Sequence, residues 1–189
     1  MDEAAKAPPD RFGSHYLGPW RVDVTVRGGT PKLLSVAALC RSAADALDAA
    51  GAPKPGVVGI VLANDAELAT LNAEHMGKSG PTDVLSFPIL PAEAFPRHPG
   101  QGHRGARGES FPLPPGARQP LGDVVVSVER AIEQAEAGRG GQTGDVRWSP
   151  ADELRLLVTH GILHLCGWDH AEPHEEAAMR ALERRLLAG

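Results

Sequence analysis

The 189-residue chain is poor in aromatic residues and cysteine, and it contains no long apolar run. Its apolar stretches fall well short of the roughly 20 residues that a membrane-spanning helix needs. The opening residues, MDEAAKAPPD, lack the apolar segment of a secretory signal. Cys40 and Cys166 lie far apart in apolar helical patterns, so we expect buried free thiols in a cytoplasmic protein rather than a disulfide framework.

The chain also lacks an excess of positive charge. It carries 19 Lys and Arg against 24 Asp and Glu, for a net charge of −5. This balance argues against a protein that coats nucleic acid through its overall charge, but it permits a basic patch beside an active site. A hydrophobic content of 42% is enough for one domain with a core.

Three segments lack the periodicity of helices or strands. Residues 1–18 are polar and predict a disordered N-terminal tail, which leaves 19–189 as a single domain. Residues 91–120 contain 12 Pro and Gly and predict an irregular insertion, and residues 139–148 predict a second, shorter irregular segment.

The insertion is the more basic of these segments. Its arginines could help to hold a phosphate backbone, although a solvated loop explains them as well. His98 and His103 have no partners at a defined spacing, and they stay unassigned. The arginines in question are Arg97, Arg104, Arg107 and Arg118.

The remaining residues predict an α+β domain. Periodicity and helix-end signals predict helices, and alternating or continuous apolar runs predict strands. The helices concentrate toward the C-terminus, which favours separate α and β layers. The predicted strands are 20–27, 57–62, 84–88 and 121–126, and the predicted helices are 35–51, 64–77, 127–138, one starting at 149 and 172–187.

The most informative stretch contains His160, His164 and His170 in the pattern H-x-x-x-H-x-x-G-x-x-H. Histidines four residues apart lie on one face of a helix and can bind the same ion. Gly167 suits a left-handed helix end, after which the chain can return with a third ligand. Three protein ligands leave one tetrahedral position open, as in catalytic zinc sites.

One feature of zinc proteases is missing from this stretch. Their general base is a glutamate directly after the first histidine, and Gly161 stands at that position. A metallopeptidase-like hydrolase is therefore disfavoured. Cys166, two residues after His164, points to another side of the helix and is expected to pack in the core.

These residues carry a resemblance to a known family. Residues 160–170 resemble the HGxLHLxGxDH motif of the YbeY family of bacterial rRNA-maturation endoribonucleases. Residues 81–88 are similar to the family's PTDVLSFP segment, and 121–123 resemble a third, shorter element. Glycine in place of the protease glutamate is the form found in this family.

The resemblance implies a zincin-like fold with a mixed sheet of about four strands and about five helices. It implies that His160, His164 and His170 hold one Zn²⁺, although imidazoles also suit nickel, copper or iron. It further implies a cytoplasmic, single-strand-specific endoribonuclease that acts in 3′-end maturation of small-subunit rRNA and in ribosome quality control. The small ribosomal subunit and an Era-type GTPase are the implied partners.

The groups that bind substrate and move the proton are less defined. Met76 stands where the family commonly has an arginine, so Lys78 or an arginine of the insertion would have to bind phosphate instead. Asp169 is a candidate proton acceptor, but it could equally be a turn residue. Asp83 could lie next to the metal ligands without binding the ion itself, or it could cap the start of a strand.

Two further side chains close to the motif also have alternative roles. Trp168 could stack a base or cover the helix end as core, and His174 is expected at the surface. A non-catalytic, metal-stabilised ribosome-assembly factor remains the alternative function.

Overall fold

A computed structural model describes residues 8–99, 101, 113–138 and 149–188, in which five strands form one mixed sheet. The strand order is β1-β2-β3-β5-β4, with β2, β3 and β5 parallel and the two edge strands antiparallel to their neighbours. The strands are β1 (Arg11–Leu17), β2 (Trp20–Val26), β3 (Gly56–Ala63), β4 (Val84–Pro88) and β5 (Gln119–Ser127). The four predicted strands are confirmed, and Pro88 lies at an edge as its missing N–H requires.

The described residues form five α-helices, and four of these begin at a capping residue. Ser35, Asn64, Ser127 and Ser149 each accept a hydrogen bond from the first turn of a helix, as predicted. No helix within the described part of the chain is both long and apolar enough to cross a membrane. The helices are α1 (Val36–Ala49), α2 (Asp65–Met76), α3 (Val128–Glu136), α4 (Pro150–Leu165) and α5 (Pro173–Leu187).

The main core lies between one face of the sheet and the helices α1, α4 and α5. Alternate residues of β2 and β3 are buried, which is the period of a strand with one face against a core. On α4, ten of the 16 residues are buried, so this helix is enclosed on most sides. The smaller helix α2 covers part of the other sheet face, where Leu68 packs near Val125.

The predicted N-terminal tail is wrong for residues 11–17. These residues form β1, which pairs antiparallel with β2 through a turn at Gly18. The strand was missed because it lies at the sheet edge, where Phe12 and Tyr16 remain 69% and 65% exposed and no buried stripe appears. The sheet therefore has five strands rather than about four. Residues 1–7 lie outside the described residues.

The predicted insertion is only partly irregular. It contains a 3₁₀ turn at Ala92–Ala94, and its last two residues, 119 and 120, belong to β5. Arg118 donates to the Pro19 carbonyl and lies against the Tyr16 ring, so it serves the β1–β2 hairpin. Arg97 is exposed. The remaining predictions for this region, on Arg104, Arg107 and His103, fall outside the described residues, as does the segment 139–148.

Candidate metal centre

The three predicted histidines meet at one point. One nitrogen from each of His160, His164 and His170 lies within 4.8 Å of the others. The Nε2 atoms of His160 and His164 are 2.9 Å apart, and the His170 ring centroid lies 5.0 Å from that of His164. No other group of three potential metal-binding side chains occurs among the described residues.

The end of α4 turns the chain so that His170 can join the pair on the helix. Gly167 has a φ of 79°, the left-handed conformation that glycine adopts most easily. The N–H of Trp168 donates to the Leu163 carbonyl at 3.0 Å, which together with Gly167 forms a Schellman motif. Asp169 then accepts a 2.7 Å hydrogen bond from the His170 N–H. The predicted helix end at Gly167 is confirmed, and Oδ1 of Asp169 makes a contact within the turn.

Two oxygen acceptors orient the histidines of α4. His160 Nδ1 lies 2.7 Å from Glu183 Oε1, and His164 Nδ1 lies 2.9 Å from the Trp168 carbonyl oxygen. A carbonyl or carboxylate oxygen can only accept, so each Nδ1 carries the proton and donates it. When such a ring is neutral, its lone pair is on Nε2, which faces the centre of the cluster.

This arrangement fits a metal ion. The Nε2 atoms of His160 and His164, 2.9 Å apart, can share one proton in a hydrogen bond, and when both are unprotonated a cation near the two lone pairs removes their repulsion. Burial, together with the nearby rings of His160 and His170, lowers the pKa of His164 to about 4, so this ring is neutral at pH 7. A ligand imidazole whose second nitrogen donates to a carboxylate is the usual arrangement in zinc proteins. The three histidines could thus hold a metal ion.

Packing explains why glycine stands at position 161, where zinc proteases have their glutamate base. A Cβ at this residue would lie 2.4 Å from Val124 Cγ1 and 3.0 Å from Val84 Cγ2. In addition, Ser86 of β4 donates to the Gly161 carbonyl at 2.9 Å. The helix therefore lies directly against β4 and β5 at this residue, and no larger side chain fits there.

A cleft of about 750 Å³ opens beside the histidines. Its walls come from the end of α2, the following loop, β4 and the turn after α4, and they include Met76, Lys78 and Asp169. Asp83 also lines the cleft, but its carboxylate accepts from the Val84 N–H at 2.9 Å and from the Gln134 amide at 3.1 Å. Asp83 therefore caps the start of β4, and it is not part of the group of three histidines.

Other predicted candidates lie outside the cluster. His174 is exposed in the first turn of α5. Cys166 is 2% exposed, and burial raises the pKa of its thiol to about 12, which confirms its role in the core. Trp168 is 8% exposed and stacks on His98 with ring centroids 4.1 Å apart, so it packs inside rather than offering a face to a base.

Two residues near the cluster were not found from the sequence. Glu183 is 2% exposed on α5, 23 positions after His160, and only the packing of α5 against α4 brings them together. His98 is 8% exposed, and its Nε2 lies 3.3 Å from the Gly167 carbonyl oxygen. The segment around His98 therefore covers the turn that leads to His170. Neither contact can be predicted from local sequence spacing, because the two partners are far apart in the chain.

Comparisons with known proteins identify relatives of this chain. A family model described as Endoribonuclease YbeY matches residues 32–189. Endoribonuclease YbeY of Salinispora tropica is 43% identical over 144 residues, which are 76% of this chain and 80% of that protein. Its counterpart in Thermobifida fusca is 39% identical over 168 residues, 89% and 92% of the two chains.

The fold has a counterpart among solved structures. The solution structure of TM1509 from Thermotoga maritima aligns with a TM-score of 0.50 at 21% identity, covering 89% of this chain and 86% of that one. This likeness supports the α+β fold alone. The family model and the relatives, which match most of the chain, show that the protein belongs to the YbeY family.

Proposed function

We propose that this protein is a metal-dependent, single-strand-specific endoribonuclease that matures the 3′ end of small-subunit rRNA. The observation that carries the proposal is the convergence of three imidazoles on one point beside an open cleft. Membership of the YbeY family supports the same activity, since the relatives are named endoribonucleases.

A divalent ion bound to the three histidines would supply Lewis acidity for the activation of water and for the polarisation of a phosphoryl oxygen. The protein itself orients two of the histidine rings for metal binding. Glu183 and the Trp168 carbonyl hold the protons on the two Nδ1 atoms, which keeps Nε2 of His160 and His164 available as ligands.

The cleft provides groups for substrate binding and proton transfer. We assign phosphate binding to Lys78, because the neutral Met76 beside it supplies no charge. Asp169 is the proposed proton acceptor, since only its Oδ1 accepts a hydrogen bond, from the His170 N–H, whereas both oxygens of Asp83, the other carboxylate of the cleft, accept from Val84 and Gln134.

The finer features of the proposal follow from the family and from the donor set. Three imidazoles and one open position suit Zn²⁺, which is the proposed ion. We further propose a zincin-like fold, a cytoplasmic location, a role in ribosome quality control and association with the small ribosomal subunit and an Era-type GTPase. The location, the role in quality control and the partners follow from an rRNA substrate.

The direct test compares RNA and peptide substrates. Purified protein is incubated with a single-stranded RNA, a duplex RNA and an unstructured peptide, each with and without a chelator. We expect cleavage of the single strand only, and loss of that cleavage with chelator or in His164→Ala. Unchanged RNA cleavage by a metal-depleted His164→Ala protein would refute the mechanism, and peptide cleavage would favour a metallopeptidase.

A complementation experiment distinguishes catalysis from a role in assembly. Cells that lack their own enzyme receive either the wild-type protein or His160→Ala, and rRNA 3′ ends are mapped. The variant is expected to leave immature ends. Normal ends in cells with a folded His160→Ala protein would mean that the protein acts as a non-catalytic assembly factor.

A further inference from the structure

Two hollows meet at the histidine cluster. The first is the cleft between α2 and β4, and the second is a smaller hollow of about 140 Å³ on the side of α5. The two share His160 and His170 and have no other lining residue in common. A linear ligand that reaches the histidines through the cleft can therefore continue onto α5.

Each hollow contains one lysine or arginine among the described residues that line it. Lys78 stands in the cleft and Arg180 in the hollow on α5. These two cations therefore flank the histidines from different elements. A single-stranded RNA has a phosphate at every nucleotide, so a strand that passes the histidines presents phosphates to both cations.

Arg180 is available to bind a phosphate. Its guanidinium contacts the carboxylate of Glu176 one turn earlier on α5, and the two side chains are 42% and 41% exposed. Exposed pairs of this spacing contribute little to stability, so an anion can replace the carboxylate at small cost. The planar guanidinium also matches two phosphate oxygens at once.

We propose that Arg180 binds an RNA phosphate on the α5 side of the histidine cluster while Lys78 binds one on the cleft side. The strand thus crosses the cluster, with one phosphate held on each side of the linkage to be cut. Glu176 opposes this binding, because its carboxylate competes for Arg180 and repels the strand. The inference rests on the proposed ribonuclease function and defines the path of its substrate.

The test measures binding of a fluorescent single-stranded RNA to the full-length chain, in chelator to prevent cleavage, over a series of salt concentrations. Each lost phosphate contact is expected to reduce the slope of log K against log salt by about 0.7. Arg180→Gln and Lys78→Gln should each show this reduction, and the double variant should show about twice as much. Arg185→Gln, which removes the same charge from an exposed position of α5, is the control and should keep the wild-type slope.

Glu176→Gln provides a second variant with the opposite expected effect. Freed from its carboxylate partner, Arg180 should bind RNA more tightly, and the affinity should rise above that of the wild type. Equal slopes for Arg180→Gln, Arg185→Gln and the wild type would overturn the proposed path. If the wild type binds RNA with the predicted slopes but does not cut it when metal is supplied, the path stands and the ribonuclease function fails.

Discussion

At the scale of single residues, the packing around Gly161 leaves no space for a side chain at this position. The absence of a side chain allows α4 to lie against Val124 and Val84, so the missing protease glutamate is a consequence of packing as much as of chemistry. Ser86 of β4 also donates to the Gly161 carbonyl, so the strand contacts α4 in the turn that carries His160 and His164.

Substitution of Gly161 by alanine should therefore lower the free energy of unfolding, the opposite of the usual effect within a helix. Gly→Ala inside a helix normally stabilises a protein by about 0.5–1 kcal/mol. Here we expect Gly161→Ala to destabilise it by about 1–3 kcal/mol, because the new methyl group overpacks the contact with Val124. Urea unfolding monitored by circular dichroism measures the change, and a gain in stability would contradict the packing argument.

Glu183 should control the metal affinity. Its carboxylate holds the proton on His160 Nδ1, and loss of such a partner commonly costs about 10–100-fold in affinity. We expect Glu183→Gln to weaken Zn²⁺ binding within that range in a competition assay with a chromophoric chelator. Glu172→Gln, an exposed carboxylate before α5, serves as the control. Equal affinities in the two variants would assign Glu183 a structural role only.

His164 should make the metal-free protein sensitive to acid. Its folded-state pKa of about 4 lies below the ordinary value of 6.5, so the unfolded chain takes up a proton first as the pH falls. Stability should therefore decline from pH 6.5 to about pH 4, with no contribution from this group above pH 6.5. As the pH falls, the free energy of unfolding should decline less steeply for His164→Asn than for the wild type. His174→Asn, an exposed control, should follow the wild type.

At the scale of elements, the N-termini of α2 and α3 are joined by hydrogen bonds. Ser127 caps α3 and also donates to the Asp65 carboxylate of α2 at 2.6 Å. In return, Glu129 of α3 accepts from the Asp65 N–H at 2.7 Å. Because α2 ends at the wall of the cleft, this contact between helix starts positions Met76 and the loop that carries Lys78.

Removal of the shared cap should test this connection. Ser127 is fully buried, whereas Ser35, the cap of α1, is exposed. We expect Ser127→Ala to cost about 1–2 kcal/mol, and Ser35→Ala to cost about 0.5–1 kcal/mol because water can replace its hydroxyl. Thermal and denaturant unfolding measure both changes, and an equal cost would argue against the interhelical bond.

At the scale of the whole molecule, the metal site joins the last two helices and the turn between them. His160 and His164 come from α4, His170 from the turn, and Glu183 from α5. An ion bound only by the folded protein stabilises it by about 2.7 kcal/mol when the free metal exceeds the dissociation constant 100-fold. We therefore expect added Zn²⁺ to raise the melting temperature of the wild type.

The variant His170→Ala provides the comparison for that effect. It removes one ligand from an exposed position and should leave the metal-free melting temperature near that of the wild type. Differential scanning calorimetry of both proteins with chelator and with Zn²⁺ measures the difference. An identical shift in the two proteins would show that the metal stabilises the chain at another place.

Local spacing was sufficient to predict much of the site. The interval between His160 and His164 places both rings on one helix face, and Gly167 permits the turn that returns His170. The helix caps were predictable for the same reason, because each is a contact between residues three apart. Features of this kind depend on backbone geometry, which a few neighbouring residues determine.

The tertiary structure decided the rest. The contact of Glu183 with His160 and the packing of His98 on Trp168 join residues that are far apart in the sequence. Each exists because elements pack in one arrangement, and burial then selects which side chains meet. The sequence by itself determined the three histidines, whereas the fold determined which groups orient them and which hollows a substrate can follow.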